Sequence, residues 1–276
     1  MTLSSIAHAD ARELEHDLRI DVAVTAVGTA WWVTSELLKA DLVPEKCRWC
    51  SRDENGTALV NPYDGWMRKH VLWEKRRTAD VTSSILAYVV EPTAMLGLSA
   101  ISAANEDAIS KFPVDALLIS EATIIAGNVN QLVKFGFARE RPFVHFLPRA
   151  PTAVRELTDS PTDDNLSFFS GHTTLAFAVA TASGTISTLR GYRLAPLVWG
   201  TGLALASTVG YLRIAADKHY FSDVLTAAIV GSAIGIGVPL VFHRPRSTDD
   251  QNVAVAAPQA LTGPPIRTAF ALGGAF

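Results

Sequence analysis

Three runs of 17–19 residues without a charge follow one another in the second half of the chain: Thr173–Leu189, Leu194–Leu212 and Val224–Phe242. Each is close to the roughly 20 residues that carry a helix across a bilayer. Their Ala, Gly, Ser and Thr residues suit the close helix packing found in lipid. Three further stretches precede them. Val22–Leu38 contains Glu36, Val81–Ala104 is interrupted by Glu91-Pro92, and Asp115–Val133 carries Glu121, Asn128, Asn130 and Gln131. A carboxylate at mid-membrane costs about 2.5–3.5 kcal/mol on insertion scales, so these residues are expected to face the interior of a bundle. Strand patterns are scarce. The fold class expected is all-α, a six-helix bundle spanning a membrane, with a soluble bundle of buried helices as the alternative.

Composition agrees with that expectation. Charged residues make up 18% of the chain and apolar ones 49%, against the roughly 25% charge of an average soluble domain. The net charge of −3 argues against a general nucleic-acid binder. An anionic substrate must then be held by local cations. Residues 1–21 lack the apolar core of a signal peptide, so export would make Val22–Val33 an uncleaved anchor. The polar region 39–80 contains CRWC, whose Cys47 and Cys50 are read as a disulfide or idle thiols before a redox pair. It also contains Trp66–Arg77, which reads as one amphipathic helix at an interface or on a surface. From Ser247 onward Pro, Ala and Gly dominate, and an irregular tail is expected.

Three polar islands break the apolar pattern. KFGFARERPF (Lys134–Phe143) follows the third stretch, SFFSGHTT (Ser167–Thr174) precedes the fourth, and RIAADKHYFSD (Arg213–Asp223) lies between the fifth and sixth. If each stretch crosses once, parity places all three at one end of the bundle. Lys134 and Arg141 are seven apart, two turns if helical, and project to one side. Ser170 caps the following helix, and Gly171 lets an anion approach its N-terminus. His219 and Asp223, four apart, share a helix face, so the carboxylate accepts the Nδ1–H and leaves Nε2 free. Arg213 is placed to fork onto oxyanions. A metal held by His172, His219 and Asp223 is only weakly signalled by these spacings. His145 is read as a loop residue.

Lysine, six residues, Arg-Pro; then Ser-Gly-His; then arginine, five residues, histidine, three residues, aspartate: in this order the chain resembles the type 2 phosphatidic acid phosphatase (PAP2) superfamily. That superfamily also includes class A acid phosphatases and vanadium haloperoxidases. The resemblance implies one helical domain over residues 1–246, with its core at about 20–243 and an insertion at 39–80. It implies a phosphatase in which His219, aligned by Asp223, attacks phosphorus, and His172 protonates the leaving oxygen. Lys134, Arg141, Arg213, Ser170 and Gly171 would clamp the phosphate, with no cofactor. Two positions depart from the family pattern: Phe169 stands for a proline and Leu212 for a serine.

The six stretches favour the membrane branch, whose partners are the bilayer and a phosphorylated lipid. A soluble-type acid phosphatase on small phosphomonoesters and a vanadium-dependent haloperoxidase are the alternatives. Arg190–Arg193 and His243–Arg246 would lie on the side opposite the site, and their charge suits a cytoplasmic face. The expectation is a bacterial inner membrane protein with its site facing the periplasm. The nine Lys/Arg against seven Asp/Glu in 39–80 oppose that orientation.

Overall fold

The computed structural model describes residues 11–44, 46–53, 55, 59–146, 157–158 and 161–246. The tail expected to be irregular lies outside the described residues. Among those described there is no strand, only two isolated bridges, Leu14–Pro245 and Trp49–Arg139. Among the described residues, contiguous helical segments join into nine helices of at least four residues, not six. They are α1 (Leu18–Leu37), α2 (Lys39–Leu42), α3 (Pro62–Val71), α4 (Arg76–Ala104), α5 (Ile109–Phe137), α6 (Pro142–Phe146), α7 (Gly171–Arg190), α8 (Ala195–Ala215) and α9 (Phe221–Phe242). The six long helices are the six apolar stretches, extended by one to several residues. The three short ones lie in polar segments, where a search for long apolar runs has no signal.

Four helices, α4, α5, α8 and α9, are long and apolar enough to cross a membrane. That set indicates a membrane protein. The helix expected to be among the cleanest spans, α7, is not in it. Its 20 residues include seven Ser or Thr, which are uncharged but not apolar. Thr181, Thr185 and Thr188 return their hydroxyls to carbonyls four residues back. Such a helix belongs in the middle, and 14 of its residues are buried. It packs against α4, α5, α8 and α9. One close approach is to α9, where a Cβ on Gly231 would sit 2.5 Å from the Thr174 carbonyl oxygen. Only glycine lets the two backbones pass there.

The bundle buries polar groups beside its apolar core and exposes large apolar side chains. Glu91, Glu121, Asn130 and Gln131 are buried as expected, whereas Val27, Leu37, Val89, Ile229 and Phe242 are exposed. Glu36 differs, being half-exposed and paired with Lys39. Proline 92 does not break α4. A π-helical turn at Leu86–Val90 precedes it, and the widened turn relieves the clash of the proline ring with the carbonyl four residues back.

The expected helix Trp66–Arg77 is two helices. α3 ends at Val71 and α4 begins at Arg76. The break is pinned to the end of α8, where Trp73 N–H donates to the Ala215 carbonyl. Cys47 and Cys50 form a disulfide. Arg190, counted in sequence as a free basic residue, is buried and pairs with Asp115 at 2.6 Å. Arg193 lies 3.6 Å from Glu106. The short loop between α7 and α8 is therefore a weaker charge signal than its sequence implies.

Candidate active site

A cavity of about 540 Å³ opens at one end of the bundle, lined by residues of all three islands: Lys134, Arg141, Gly171, His172, Arg213 and His219. The convergence expected from parity is present. The routes differ in detail. α5 ends at Phe137, and Ala138 adopts a left-handed conformation with φ 43° and ψ 54°. Arg141 is therefore not two helical turns from Lys134. It reaches the cavity through a turn closed by Arg141 N–H donating to the Asp164 carbonyl. His145 is not in a loop but in α6, buried, with Nδ1 3.0 Å from Glu140 Oε2.

The nucleophile candidate is also held differently. α9 starts only at Phe221, so His219 and Asp223 do not share a helix. His219 Nδ1 lies 2.7 Å from the Ser167 carbonyl and 3.8 Å from Asp223 Oδ2. A carbonyl only accepts, so Nδ1 carries the proton and Nε2 keeps its lone pair. The tautomer needed for attack is thus fixed, by a backbone oxygen. Asp223 works one layer back. It accepts from Ser167 Oγ at 2.6 Å, from Tyr220 N–H at 2.9 Å and from Arg139 Nη1 at 2.6 Å. Burial, then Arg141 and Arg213, push the His219 pKa well below the ordinary histidine value, favouring the neutral ring.

His172, at the start of α7, places Nε2 3.1 Å from Ser84 Oγ and its ring 4.7 Å from that of Tyr88. Ser84 Oγ also lies within bonding distance, 3.0 Å, of the Asp80 carbonyl. Gly171 fits because a Cβ would stand 3.2 Å from Lys134 Nζ. Ser170 departs from expectation. It is buried, makes no side-chain cap, and its Oγ accepts from Thr173 at 2.9 Å rather than lining the cavity. Phe169 offers its carbonyl to Asn130 Nδ2 at 2.7 Å, tying the Ser-Gly-His segment to α5. Leu212 packs with Ala79, Ala215 and Ala216.

The cations are pre-set by acids that the motifs do not contain. Arg213 Nη1 donates to Asp80 Oδ1 at 2.6 Å and Ser83 Oγ at 2.9 Å. Arg141 Nε donates to the Asp163 carbonyl. Lys39 bridges Glu36 and Asp163 at 2.6 and 3.0 Å. Burial raises the Asp163 pKa, but Arg141 and Lys39 outweigh it and leave it below the usual carboxylate value. In all, five Lys/Arg and three carboxylates line the cavity. Basic side chains therefore outnumber acidic ones around the cavity.

The polar insertion supplies a second layer that sequence reading missed. Arg139 is sandwiched between the rings of Trp49 at 4.2 Å and Tyr220 at 4.0 Å. Its Nη2 donates to Asp64 at 3.1 Å while Nη1 holds Asp223. Asp64 in turn accepts the Ser222 N–H at 2.7 Å. Arg68 forks onto Asp217 at 2.6 and 2.7 Å. Asp217 takes φ 62°, a turn that carries the chain from α8 into His219. The only hint in sequence was the density of opposite charges in 39–80.

The matched spacing of the islands is reflected in the family comparison. Residues 115–247 match the family model of the PAP2 superfamily. This part of the chain belongs to the PAP2 superfamily. A comparison of the whole chain with curated proteins finds no match. The PAP2 match begins at Asp115 in α5 and so covers every island, while α1, α4 and the insertion precede it. PAP2 membership points to phosphatase chemistry of the hydrolase kind. The residues before the match add Lys39, Arg77, Asp80 and Ser84 to the PAP2 cavity.

Proposed function

We propose that this protein hydrolyses a lipid phosphate, a monoester or a diphosphate, through a phosphohistidine on His219. The observation that carries the lipid reading is a second cavity of about 440 Å³, lined by Thr25, Pro92, Leu96, Ile119, Ile124 and Val179 among others. It shares Trp32, Tyr88 and Leu175 with the polar cavity. A charged head and an apolar tail would be served by adjoining spaces, the second bordered by α1, α4, α5 and α7.

In this reading the non-bridging oxygens lie against Lys134, Arg141, Arg213 and the N-terminus of α7. His219 Nε2 attacks phosphorus in line; the N–P bond forms as the P–O bond to the alcohol breaks. His172 gives its proton to the departing oxygen. It then takes one from water, whose oxygen displaces the histidine. Phosphate leaves, His219 is neutral again and His172 is protonated. Fixed cations aimed at the transferring group account for most of the acceleration.

The disulfide supports a site outside the cytoplasm. Disulfides persist in oxidising compartments, and this one lies at the cavity end, where Arg48 N–H donates to the Ala138 carbonyl. A bacterial inner membrane with a periplasmic site is the setting we infer.

Phosphate release from detergent-solubilised protein tests the reading. Long-chain lipid phosphates and prenyl diphosphates are compared with glycerol 3-phosphate. The expectation is a kcat/KM at least about tenfold higher for the long-tailed esters, since a few buried methylenes at about 0.8 kcal/mol each suffice. Leu175→Trp, at the junction, should remove that preference and leave the short ester's rate in place. Equal rates on both classes would favour the small-substrate phosphatase instead.

A further inference from the structure

The end of the bundle away from the cavity buries two carboxylates and an imidazole that the phosphatase reading does not use. Asp21 lies in the first turn of α1, Glu121 in α5, and His243 directly after α9. One ligand atom from each lies within 4.8 Å of the other two. All three residues are more than nine-tenths buried. Glu121 Oε2 and His243 Nε2 have no hydrogen-bond partner. No Lys or Arg pairs with any of the three among the described residues. Along α5, Glu121 is about 20 Å from Lys134 at 1.5 Å per residue, so the cluster is not part of the cavity.

The local backbone is arranged to present the imidazole. Glu15 N–H donates to the Arg244 carbonyl at 2.8 Å, and Leu14 bridges Pro245. This pairing puts the Glu15 carbonyl 3.1 Å from His243 Nδ1. The Nδ1–H is thereby fixed and Nε2 is left with its lone pair, as an imidazole must be to bind a metal. Asp21 spends one oxygen on the Asp17 N–H at 3.1 Å and keeps the other. His243 Nε2 and Glu121 Oε2 are 3.5 Å apart. That is close to the edge of a tetrahedron with metal–ligand bonds of about 2.0–2.2 Å.

Two buried carboxylates beside one imidazole are costly as unpaired anions, and a divalent cation would offset that cost while using the unpartnered atoms. We propose that Asp21, Glu121 and His243 bind one divalent transition-metal ion of the zinc class. Nitrogen and carboxylate donors in this ratio suit zinc or manganese better than calcium or copper(I). The fourth position is left to water or a second carboxylate oxygen. The ion would staple the start of α1 and the end of α9 to the middle of α5. It takes no part in phosphoryl transfer.

The test uses full-length, tag-free protein in detergent, stripped with EDTA and dialysed against zinc or manganese chloride. Metal analysis should find one ion per chain, and reloading with zinc should raise the Tm of the stripped protein. His243→Ala, Glu121→Gln and Asp21→Asn should each weaken binding by at least about tenfold. Lipid phosphate turnover in the folded variants should persist. X-ray absorption of zinc-loaded wild type needs no variant, and should give imidazole scattering with one nitrogen and otherwise oxygen ligands. Less than stoichiometric metal in wild type, a spectrum without imidazole, or unchanged affinity in all three variants would overturn the proposal.

Discussion

The two ends of the bundle bury charge in opposite ways. At the cavity end five cations face three carboxylates. Two of the cations, Arg213 and Lys39, are fixed by acids at 2.6–3.0 Å before any ligand arrives. At the far end two carboxylates face one histidine with no Lys or Arg paired to them among the described residues. One end has an excess of basic side chains, the other an excess of acidic ones. Desolvated charge of either sign is costly, so on the readings proposed above each end would be completed by what it binds. The lesson is that excess charge, counted after internal pairing, says more about a ligand than the number of basic or acidic residues does.

The largest effects are expected at the cavity end. His219→Ala should lower turnover by about 10⁴-fold or more, because the proposed nucleophile is lost outright. His172→Ala should cost about 10²–10⁴-fold, the range for a general acid; both are read from steady-state phosphate release. Arg139→Met leaves Asp64 and Asp223 buried without their cation, and should destabilise by about 3–5 kcal/mol. Denaturant unfolding measures that loss. In protein that stays folded, kcat should fall while KM changes little, since Arg139 supports His219 through Asp223 and Ser167.

The acid limb of kcat/KM reports on the electrostatics of the cavity end. In the proposed mechanism His219 attacks only when neutral, and its pKa is depressed by burial and by Arg141 and Arg213. Activity should therefore hold as pH falls through the ordinary histidine value of about 6.5 and drop only below it. Arg141→Gln removes one depressing charge and should move that limb upward by about a unit, as is common when a close charge is deleted. A limb that stays in place in Arg141→Gln would separate His219 from the titration. The smallest effect is expected from Ser84→Ala. It takes away a single hydrogen bond to His172, worth about 0.5–1.5 kcal/mol, and should lower kcat by at most about tenfold.

The sequence made the helical fold and the meeting of three islands legible because both rest on simple periodicities. Apolar runs mark long helices, and parity fixes which ends coincide. It failed where backbone geometry decides. The start of α9 at Phe221 turns His219 away from Asp223 and onto the Ser167 carbonyl. The left-handed turn at Ala138 replaces the helical route to Arg141. Ser170, a natural cap by type, bonds Thr173 instead. Residues that neutralise or prop the site are not motif positions: Asp80 and Asp64 come from segments with no motif, and Arg139 lies within the first island at a position its motif does not specify. Their roles depend on contacts 75–149 residues apart in the chain, such as Arg139–Asp64 and Arg68–Asp217, which no local pattern encodes. His243 was legible only as a basic residue at a helix end. Its burial beside Asp21 and Glu121 required the packing of α1, α5 and α9.

The most direct test is to quench the working enzyme within a turnover, in base, where phosphohistidine survives, and to map the phosphoryl group by mass spectrometry. The account predicts a phosphoryl group on His219 that forms with the burst of released alcohol and decays as phosphate appears. A burst of alcohol with His219 unmodified, or a phosphoryl group on any other residue, would contradict it.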